Sequence, residues 1–105
     1  MKFGLTERQF HIIEGAIDSF KEIEKAIIFG SRAQGNFKAS SDIDLAIIGK
    51  DVTSNIITKL SVALDELPVP FMFDILDYKA LSNKNLKNKI DSLGKIFFER
   101  KFTEA

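Results

Sequence analysis

The chain has 105 residues, 45% hydrophobic and 29% charged, and its 15 basic and 15 acidic side chains give a formal net charge of zero. This length suits one hydrophobic core and is too short for two, so we expect a single domain over residues 1–105. A neutral chain lacks the positive field that holds polyanions, which excludes strong nucleic-acid binding of its own. The lack of cysteine excludes disulfides and thiolate sites.

The first ten residues, MKFGLTERQF, lack the apolar run of a secretory signal, and no stretch reaches the roughly 20 apolar residues that span a bilayer. We therefore expect a cytoplasmic protein without a membrane segment. An oligomer is compatible with the composition.

The first half of the chain predicts one helix and two strands. The helix covers residues 6–22, because Thr6 and Gln9 can form a capping box and apolar residues recur at helical spacing behind them. A short apolar run predicts a buried strand at residues 25–30, and a polar loop leads to a second strand at residues 42–48. Both faces of the second strand are mainly apolar, so we expect it to be central in the sheet.

The second half of the chain continues the alternation. It predicts a helix at residues 53–67, a strand at residues 69–78, a helix at residues 82–93 and a possible fourth strand at residues 95–100. The inward residues of the last helix are predicted to be Leu86, Ile90 and Leu93. Strands that alternate with helices of this length predict an α/β fold, a small sheet flanked by helices. The sheet should be mixed, because the connection between the first two strands has room for only a short helix.

Residues 30–35, GSRAQG, form a turn of the kind that holds phosphate groups. Gly30 lets the backbone turn sharply and approach a ligand closely, and Ser31 offers a hydroxyl and an amide at the expected start of a short helix. Arg32 can add charge-assisted hydrogen bonds to the same phosphates. An ordinary strand-to-helix turn is the structural alternative.

Two acids accompany the second strand. Asp42 and Asp44 are two positions apart, so their carboxylates project from one face and are spaced to share divalent cations. Without a cation, two such charges on a buried strand would cost several kcal/mol or keep one group protonated. Solvated charge at a strand edge is the alternative, and the apolar neighbours argue against it.

A third acid, Asp74, lies within the apolar run FMFDIL, where no neighbour in sequence could pair with it. A functional carboxylate explains it best. Three acids from two neighbouring strands, opposite a Gly-Ser turn, form the arrangement that two-metal phosphoryl transfer requires. Asp77, three residues further on, should face the opposite side and is interpreted as a solvated or helix-capping residue.

These residues resemble the signature of the DNA polymerase β nucleotidyltransferase superfamily, in which Gly-Ser is followed after ten residues by Asp-x-Asp. Here the pattern consists of Gly30 and Ser31, then Asp42 and Asp44, and Asp74 matches the third acid of the family. The short chain is similar to the minimal nucleotidyltransferases of bacteria and archaea. The resemblance implies a polymerase β-like nucleotidyltransferase fold.

The resemblance also implies a role for each residue. Gly30 and Ser31 would hold the β- and γ-phosphates of ATP, with the neighbouring arginine as a supporting contact. Asp42 and Asp44 would bind two Mg²⁺ ions, and Asp74 would bind one of them and orient or deprotonate the attacking hydroxyl. That hydroxyl would attack the α-phosphorus, and pyrophosphate would leave.

The partner implied by the resemblance is an all-helical toxin of the HEPN type (higher eukaryotes and prokaryotes nucleotide-binding). The transferase would act as its antitoxin by adenylylating a tyrosine. Two alternatives stay open. One is a non-catalytic module that neutralises its partner by contact, and the other is a catalytic subunit that transfers a nucleotide to a small molecule held by a substrate-binding protein.

The remaining conspicuous residues have structural interpretations. His11 is expected to be a surface or packing residue of the first helix. A solvated face of the last helix is predicted for Lys84, Lys87, Lys89 and Lys95. A core position is predicted for Phe71, Phe73, Phe97 and Phe98.

Overall fold

The computed structural model describes residues 2–101, which form four α-helices, four strands and one 3-10 turn. The elements in chain order are α1 (Glu7–Asp18), β1 (Lys25–Phe29), α2 (Ser31–Gln34), β2 (Ile43–Ile48), α3 (Ser54–Asp65), β3 (Phe73–Asp77), the 3-10 turn (Tyr78–Ala80), α4 (Lys84–Leu93) and β4 (Lys95–Glu99). Every helix and strand of the predicted order is present.

The four strands form one mixed sheet in the order β3-β2-β1-β4. β1 runs antiparallel to both β2 and β4, whereas β2 and β3 are parallel. The predicted α/β fold with a small mixed sheet is therefore confirmed, and so is the central position of β2. The parallel pair is joined through α3, as a crossover connection requires.

Helices cover both faces of the sheet. α1 and α3 pack on one face around a core that includes Ile13, Leu45 and Leu60, all fully buried. On the other face, α4 places Ile90 against Phe29, Ala46 and their neighbours. Because successive strand residues alternate between faces, Asp44 of β2 projects to the same side as Ala46, the α4 side. Phe97 and Phe98 of β4 are buried as predicted.

The first helix begins where predicted and ends early. The capping box is present: the Gln9 N–H donates to Oγ1 of Thr6 at 3.1 Å, and the Thr6 N–H donates to Oε1 of Gln9 at 3.0 Å. The helix ends at Asp18 rather than at residue 22. Its end is fixed by the guanidinium group of Arg100, which donates to the carbonyl oxygens of Asp18 and Phe20.

Two predictions in the second half of the chain were wrong in detail. The third strand begins at Phe73 rather than at residue 69, because Pro70 has no N–H to donate to a strand ladder. Leu93 was predicted to face inward, but it is 46% exposed. It is the last residue of α4, where the chain turns into β4, so the helical periodicity no longer determines its surroundings.

Within residues 2–101, no helix has the length and apolar character needed to cross a bilayer.

Candidate active site

The predicted site lies at one edge of the sheet, where β1 ends and β2 and β3 begin. In the strand register, Phe29 of β1 lies opposite Asp44 of β2, and Asp44 lies beside Asp74 of β3. Paired residues on neighbouring strands share a face of the sheet. Asp44 and Asp74 therefore project side by side, so the structure brings together one predicted acid from each of two strands.

Gly30 follows β1 directly and is in contact with the nearer acid. Its backbone has φ 73° and ψ −153°, a combination that is essentially confined to glycine. A Cβ atom at this position would lie 2.5 Å from Oδ2 of Asp44. This close approach of the turn to the carboxylate is possible because residue 30 has no side chain.

Ser31 is the first residue of the short helix α2, as predicted. The turn is closed by the Gln34 N–H, which donates to the Gly30 carbonyl at 3.2 Å, and by the Gly35 N–H, which donates to the Ser31 carbonyl at 3.0 Å. Gly35 ends the helix with φ 85°, in the left-handed region. Gly30 and Ser31 therefore lie at the edge of the sheet that carries the acids.

The electrostatics of Asp44 reflect its position between strands. Burial raises the pKa of Asp44 from 3.8 to about 6, and the negative charges of Asp74 and Asp42 contribute to the same rise. The cause is that a half-buried carboxylate is poorly solvated and that nearby like charges disfavour its ionised form. The site therefore favours a bound proton or a cation at this carboxylate.

Asp42 is exposed, as is Asp74, and it lies outside the strand in which it was predicted. It lies immediately before β2, and its charge acts on both Asp44 and Arg32. Among residues 2–101, no three acidic or histidine side chains are grouped closely enough to form a ready-made metal site. Mutual repulsion of carboxylates opposes such a grouping in the absence of a cation. The assignment of all three acids as metal ligands stays a prediction.

Arg32 occupies a different place from the one expected of a phosphate contact. Its side chain is only 2% exposed, and its guanidinium group donates to the backbone carbonyls of Phe3, Ala39 and Ser41. A contact with phosphate would require the side chain to leave these carbonyls. The geometry favours a structural role, in which Arg32 holds the loop that precedes β2 through its carbonyl groups. No local sequence pattern indicated this role.

The other acid of β3 is not part of this edge. Asp77 lies beside Ile47 in the register, at the far end of the strand, and its side chain is 15% exposed and pairs with Lys79 at 3.2 Å. It was predicted to be solvated or helix-capping. It precedes the 3-10 turn without a side-chain capping bond, and the ion pair with Lys79 accounts for its burial.

The remaining predicted surface residues are exposed. The side chain of His11 is 65% exposed and is 3.3 Å from Glu14. α4 exposes Lys84, Lys87 and Lys89 as predicted. Lys95 is also exposed, but it is the first residue of β4 and not part of the helix to which the prediction assigned it. Lys87 lies over the ring of Tyr78, 5.3 Å from its centroid.

The acidic edge is open rather than enclosed. A cavity of about 440 Å³ lies at the start of α1, and a second of about 240 Å³ lies between α4 and the sheet. Neither cavity is lined by Asp42, Asp44 or Asp74. Asp42 and Asp74 are both exposed, so another molecule can reach them directly.

The sequence matches the family model described as "Polymerase beta, Nucleotidyltransferase" over residues 12–103. The chain belongs to this nucleotidyltransferase family. The match spans the Gly-Ser turn and all three acids of the site, which confirms the family resemblance and the expectation of a nucleotidyltransferase. Comparison with curated protein sequences gives no match.

Solved structures share the fold of this nucleotidyltransferase. One is a toxin–antitoxin complex with AMP-PNP, at 24% identity and a TM-score of 0.65, covering 88% of this chain and 74% of that chain. A putative nucleotidyltransferase from Sulfolobus solfataricus matches at 23% identity and a TM-score of 0.53, covering 87% and 77%. A tri-AMPylated Shewanella oneidensis HEPN toxin in complex with MNT antitoxin matches at 22% identity and a TM-score of 0.54, covering 87% and 73%. At these identities the likeness shows the fold.

Proposed function

We propose that the chain transfers AMP from ATP to a hydroxyl group, most simply a tyrosine, of a helical HEPN-type partner and thereby acts as its antitoxin. The observation that carries this proposal is the adjacency of Asp44 and Asp74 beside the Gly30 turn. Phosphoryl transfer needs acidic groups close to a turn that binds phosphate, and the adjacency of these acids to the Gly30 turn supports that assignment.

The donor groups at this edge fit Mg²⁺. Asp44 and Asp74 present carboxylate oxygens, the ligand type that this hard cation prefers. The pKa of Asp44 is raised mainly by burial and further by the charges of Asp74 and Asp42, and a bound cation would offset both effects. We propose that Asp42 joins these two acids as a ligand. Bound there, Mg²⁺ would offset charge on the triphosphate and make the attacking hydroxyl more acidic.

The proposed roles of the protein groups follow from their positions. Gly30 and Ser31 offer backbone N–H groups and a hydroxyl to the β- and γ-phosphates. Of the two adjacent acids on the strands, Asp74 is exposed and Asp44 is half-buried, so Asp74 is the one that an incoming hydroxyl reaches more easily. It would accept the proton of that hydroxyl as the oxygen attacks the α-phosphorus. The open edge accommodates an acceptor carried by a second protein.

The nature of the partner is suggested by the relatives. One structure of the same fold is a toxin–antitoxin complex with AMP-PNP, and another contains a tri-AMPylated HEPN toxin with its MNT antitoxin. We extend to this chain the AMP donor, the helical partner and the antitoxin role. The predicted cytoplasmic location fits an enzyme that uses ATP.

The test is a transfer assay with the purified chain, its helical partner, Mg²⁺ and ATP labelled at the α-phosphate. We expect the label on the partner, and mass spectrometry should place it on a tyrosine. Asp44→Asn and Asp74→Asn should each slow transfer by at least roughly 100-fold, because losing even an outer partner of a bound metal costs about 10–100-fold.

Asp77→Asn is the matched control, since it removes an acid from the same strand three residues away and should preserve transfer. Label that persists in Asp44→Asn and Asp74→Asn would contradict the proposed site. If the partner is neutralised without any label, the chain acts by contact alone and the proposed reaction is wrong.

A further inference from the structure

The buried guanidinium group of Arg32 makes four hydrogen bonds to backbone oxygens. Its Nε and Nη2 donate to the Ser41 carbonyl at 3.0 and 2.9 Å, Nη2 also donates to Ala39 at 3.2 Å, and Nη1 donates to Phe3 at 2.9 Å. A guanidinium group has five N–H donors in all. Four of them are thus used on the protein itself, which leaves little capacity for a ligand.

The oxygen that receives two of these bonds belongs to the peptide joining Ser41 to Asp42. Two donors from a rigid planar group fix the orientation of that peptide. On the other side of Asp42, the Ile43 N–H donates to the Met72 carbonyl at 2.9 Å. The peptide before Asp42 is therefore held by Arg32, and the peptide after it is held by the hydrogen bond to Met72, just before β3.

Two aromatic rings enclose the same guanidinium group. Its central carbon lies 5.2 Å from the ring centroid of Phe37 and 4.8 Å from that of Phe71. Phe37 comes from the loop before β2, and Phe71 from the segment before β3. A cation between aromatic faces is stabilised at little cost in ordering. Arg32 thus contacts three segments that meet beside the acids: the N-terminal segment at Phe3, the loop before β2 and the segment before β3.

The backbone at Phe3 is shaped to complete this enclosure. Phe3 and Gly4 have φ values of 55° and 75°, and Lys2 and Leu5 bond to each other across this turn. A positive φ is unusual for a bulky residue such as phenylalanine and persists only where the surroundings enforce it. The turn directs the Phe3 carbonyl at the guanidinium group.

We propose that Arg32 is a positioning residue: it fixes the Ser41–Asp42 peptide, and through it the Asp42 carboxylate, instead of binding phosphate. This inference rests on the proposed function for its catalytic consequence, since Asp42 is a predicted metal ligand. Its structural part, the restraint of the loop at residues 36–41, does not depend on nucleotide.

A matched control exists in Arg100, which makes the same kind of network at the other end of β1. It donates to the backbone carbonyls of Ile23, Asp18 and Phe20, and its central carbon lies 5.2 Å from the ring centroid of Phe98. Arg32→Met and Arg100→Met both remove a guanidinium group that binds carbonyls. Only the first lies beside the proposed site.

The first measurement is hydrogen exchange of the free protein. The Lys38 and Ser41 amides are bonded within the loop, and we expect Arg32→Met to speed their exchange by about tenfold or more through local opening. Arg100→Met should leave these amides unchanged. Equal exchange at Lys38 and Ser41 in wild type and Arg32→Met would overturn the proposal.

The second measurement is a double-mutant cycle on the affinity for AMP-PNP with Mg²⁺. Arg32→Met should weaken binding roughly 10- to 100-fold in the wild-type chain, the range typical for an outer partner of a metal site. In an Asp42→Asn background the same change should add little, because the group it positions is already lost. Equal losses in both backgrounds would show that Arg32 acts on the nucleotide directly.

Arg32→Lys also distinguishes the positioning role from a phosphate contact, and it replaces Arg32→Met in these measurements if that variant does not fold. Lysine keeps the charge that a phosphate contact needs but lacks the planar fork that binds several carbonyls. We expect it to behave like Arg32→Met, and near wild-type affinity would overturn the proposal. If the wild-type chain binds no AMP-PNP at all, the proposed function fails, whereas hydrogen exchange still decides whether Arg32 restrains the loop.

Discussion

Gly30 and Asp44 touch across two strands: the place that a Cβ atom would take on Gly30 lies 2.5 Å from Oδ2 of Asp44. The Gly30 turn and the acid are therefore parts of one packed unit. Any side chain at residue 30 must displace the carboxylate or the turn, and either movement alters the site.

Gly30→Ala should consequently impair both folding and transfer. The backbone at residue 30 lies in a region that costs a non-glycine residue about 1–3 kcal/mol, and the collision with Asp44 adds to this cost. We expect the free energy of unfolding to fall by about 2 kcal/mol or more, and the transfer rate to fall about 100-fold from the misplaced acid. Denaturant unfolding and the labelled-ATP assay measure the two effects.

Gly15→Ala is the control for this substitution. Gly15 lies within α1, and no atom lies within 4 Å of the place for its Cβ. Alanine there should stabilise the protein by about 0.5–1 kcal/mol, because it favours the helix and restricts the unfolded chain. A Gly30→Ala protein as stable and active as Gly15→Ala would contradict the close packing of Gly30 and Asp44.

The sequence was sufficient to predict the elements that carry the acids. Asp44 and Asp74 were both selected because each lies in a short apolar run, where a charge is costly unless it has a function. The structure bears out this premise only for Asp44, which is half-buried, because Asp74 is exposed on the outermost strand of the sheet. Local patterns of this kind also identified the capping box at Thr6 and the central position of β2. These features depend on residues close together in the chain.

The role of Arg32 could not be predicted in the same way. Phe3 and Phe71 are distant from Arg32 in the chain, and the irregular loop that supplies Phe37, Ala39 and Ser41 has no sequence pattern that indicates its conformation. An arginine beside a Gly-Ser turn therefore suggested a phosphate contact on local chemistry alone. The exposure of Leu93 was missed for a related reason, since helical spacing does not indicate where the covering sheet ends.

The raised pKa of Asp44 predicts that Asp44→Asn becomes more stable than wild type as pH rises. Between pH 3.8 and about 6 the folded chain retains a proton on Asp44 that the unfolded chain has lost. Stability of the wild type therefore falls through this window as pH rises, and the asparagine variant avoids that fall. In metal-free buffer the difference in Tm, variant minus wild type, should be positive at pH 8 and near zero at pH 4.

Two additions sharpen the pH experiment. Mg²⁺ at pH 8 should raise the Tm of the wild type more than that of Asp44→Asn, because the cation offsets the charge that burial disfavours. Asp51→Asn, in an exposed turn after β2, removes one charge elsewhere and should change Tm little at either pH. A difference between Asp44→Asn and wild type that stays constant with pH would rule out this account of Asp44.

Ser31→Ala should weaken nucleotide binding without loss of stability. A hydroxyl that bonds to a charged phosphate is worth about 1.5–3 kcal/mol, so the Kd for AMP-PNP with Mg²⁺ should rise about tenfold or more. Calorimetric titration measures the Kd, and thermal unfolding checks the fold. The comparison is Ser54→Ala, since Ser54 is the first residue of α3 as Ser31 is of α2. Equal affinities of the two variants would remove Ser31 from the phosphate site.

Gly4→Ala tests the enclosure of Arg32 from the N-terminal side. A Cβ atom on Gly4 would collide with the Phe37 ring and would lie 2.9 Å from Nη1 of Arg32, at a φ of +75°. Gly35 has a similar φ of +85°, but no atom lies within 4 Å of the place for its Cβ. Gly35→Ala therefore carries only the backbone cost of about 1–2 kcal/mol, whereas Gly4→Ala carries that cost and the collision. We expect Gly4→Ala to have the lower Tm and to speed exchange at the Lys38 amide. If the two variants have the same Tm, the turn at Phe3 and Gly4 does not pack tightly against Arg32.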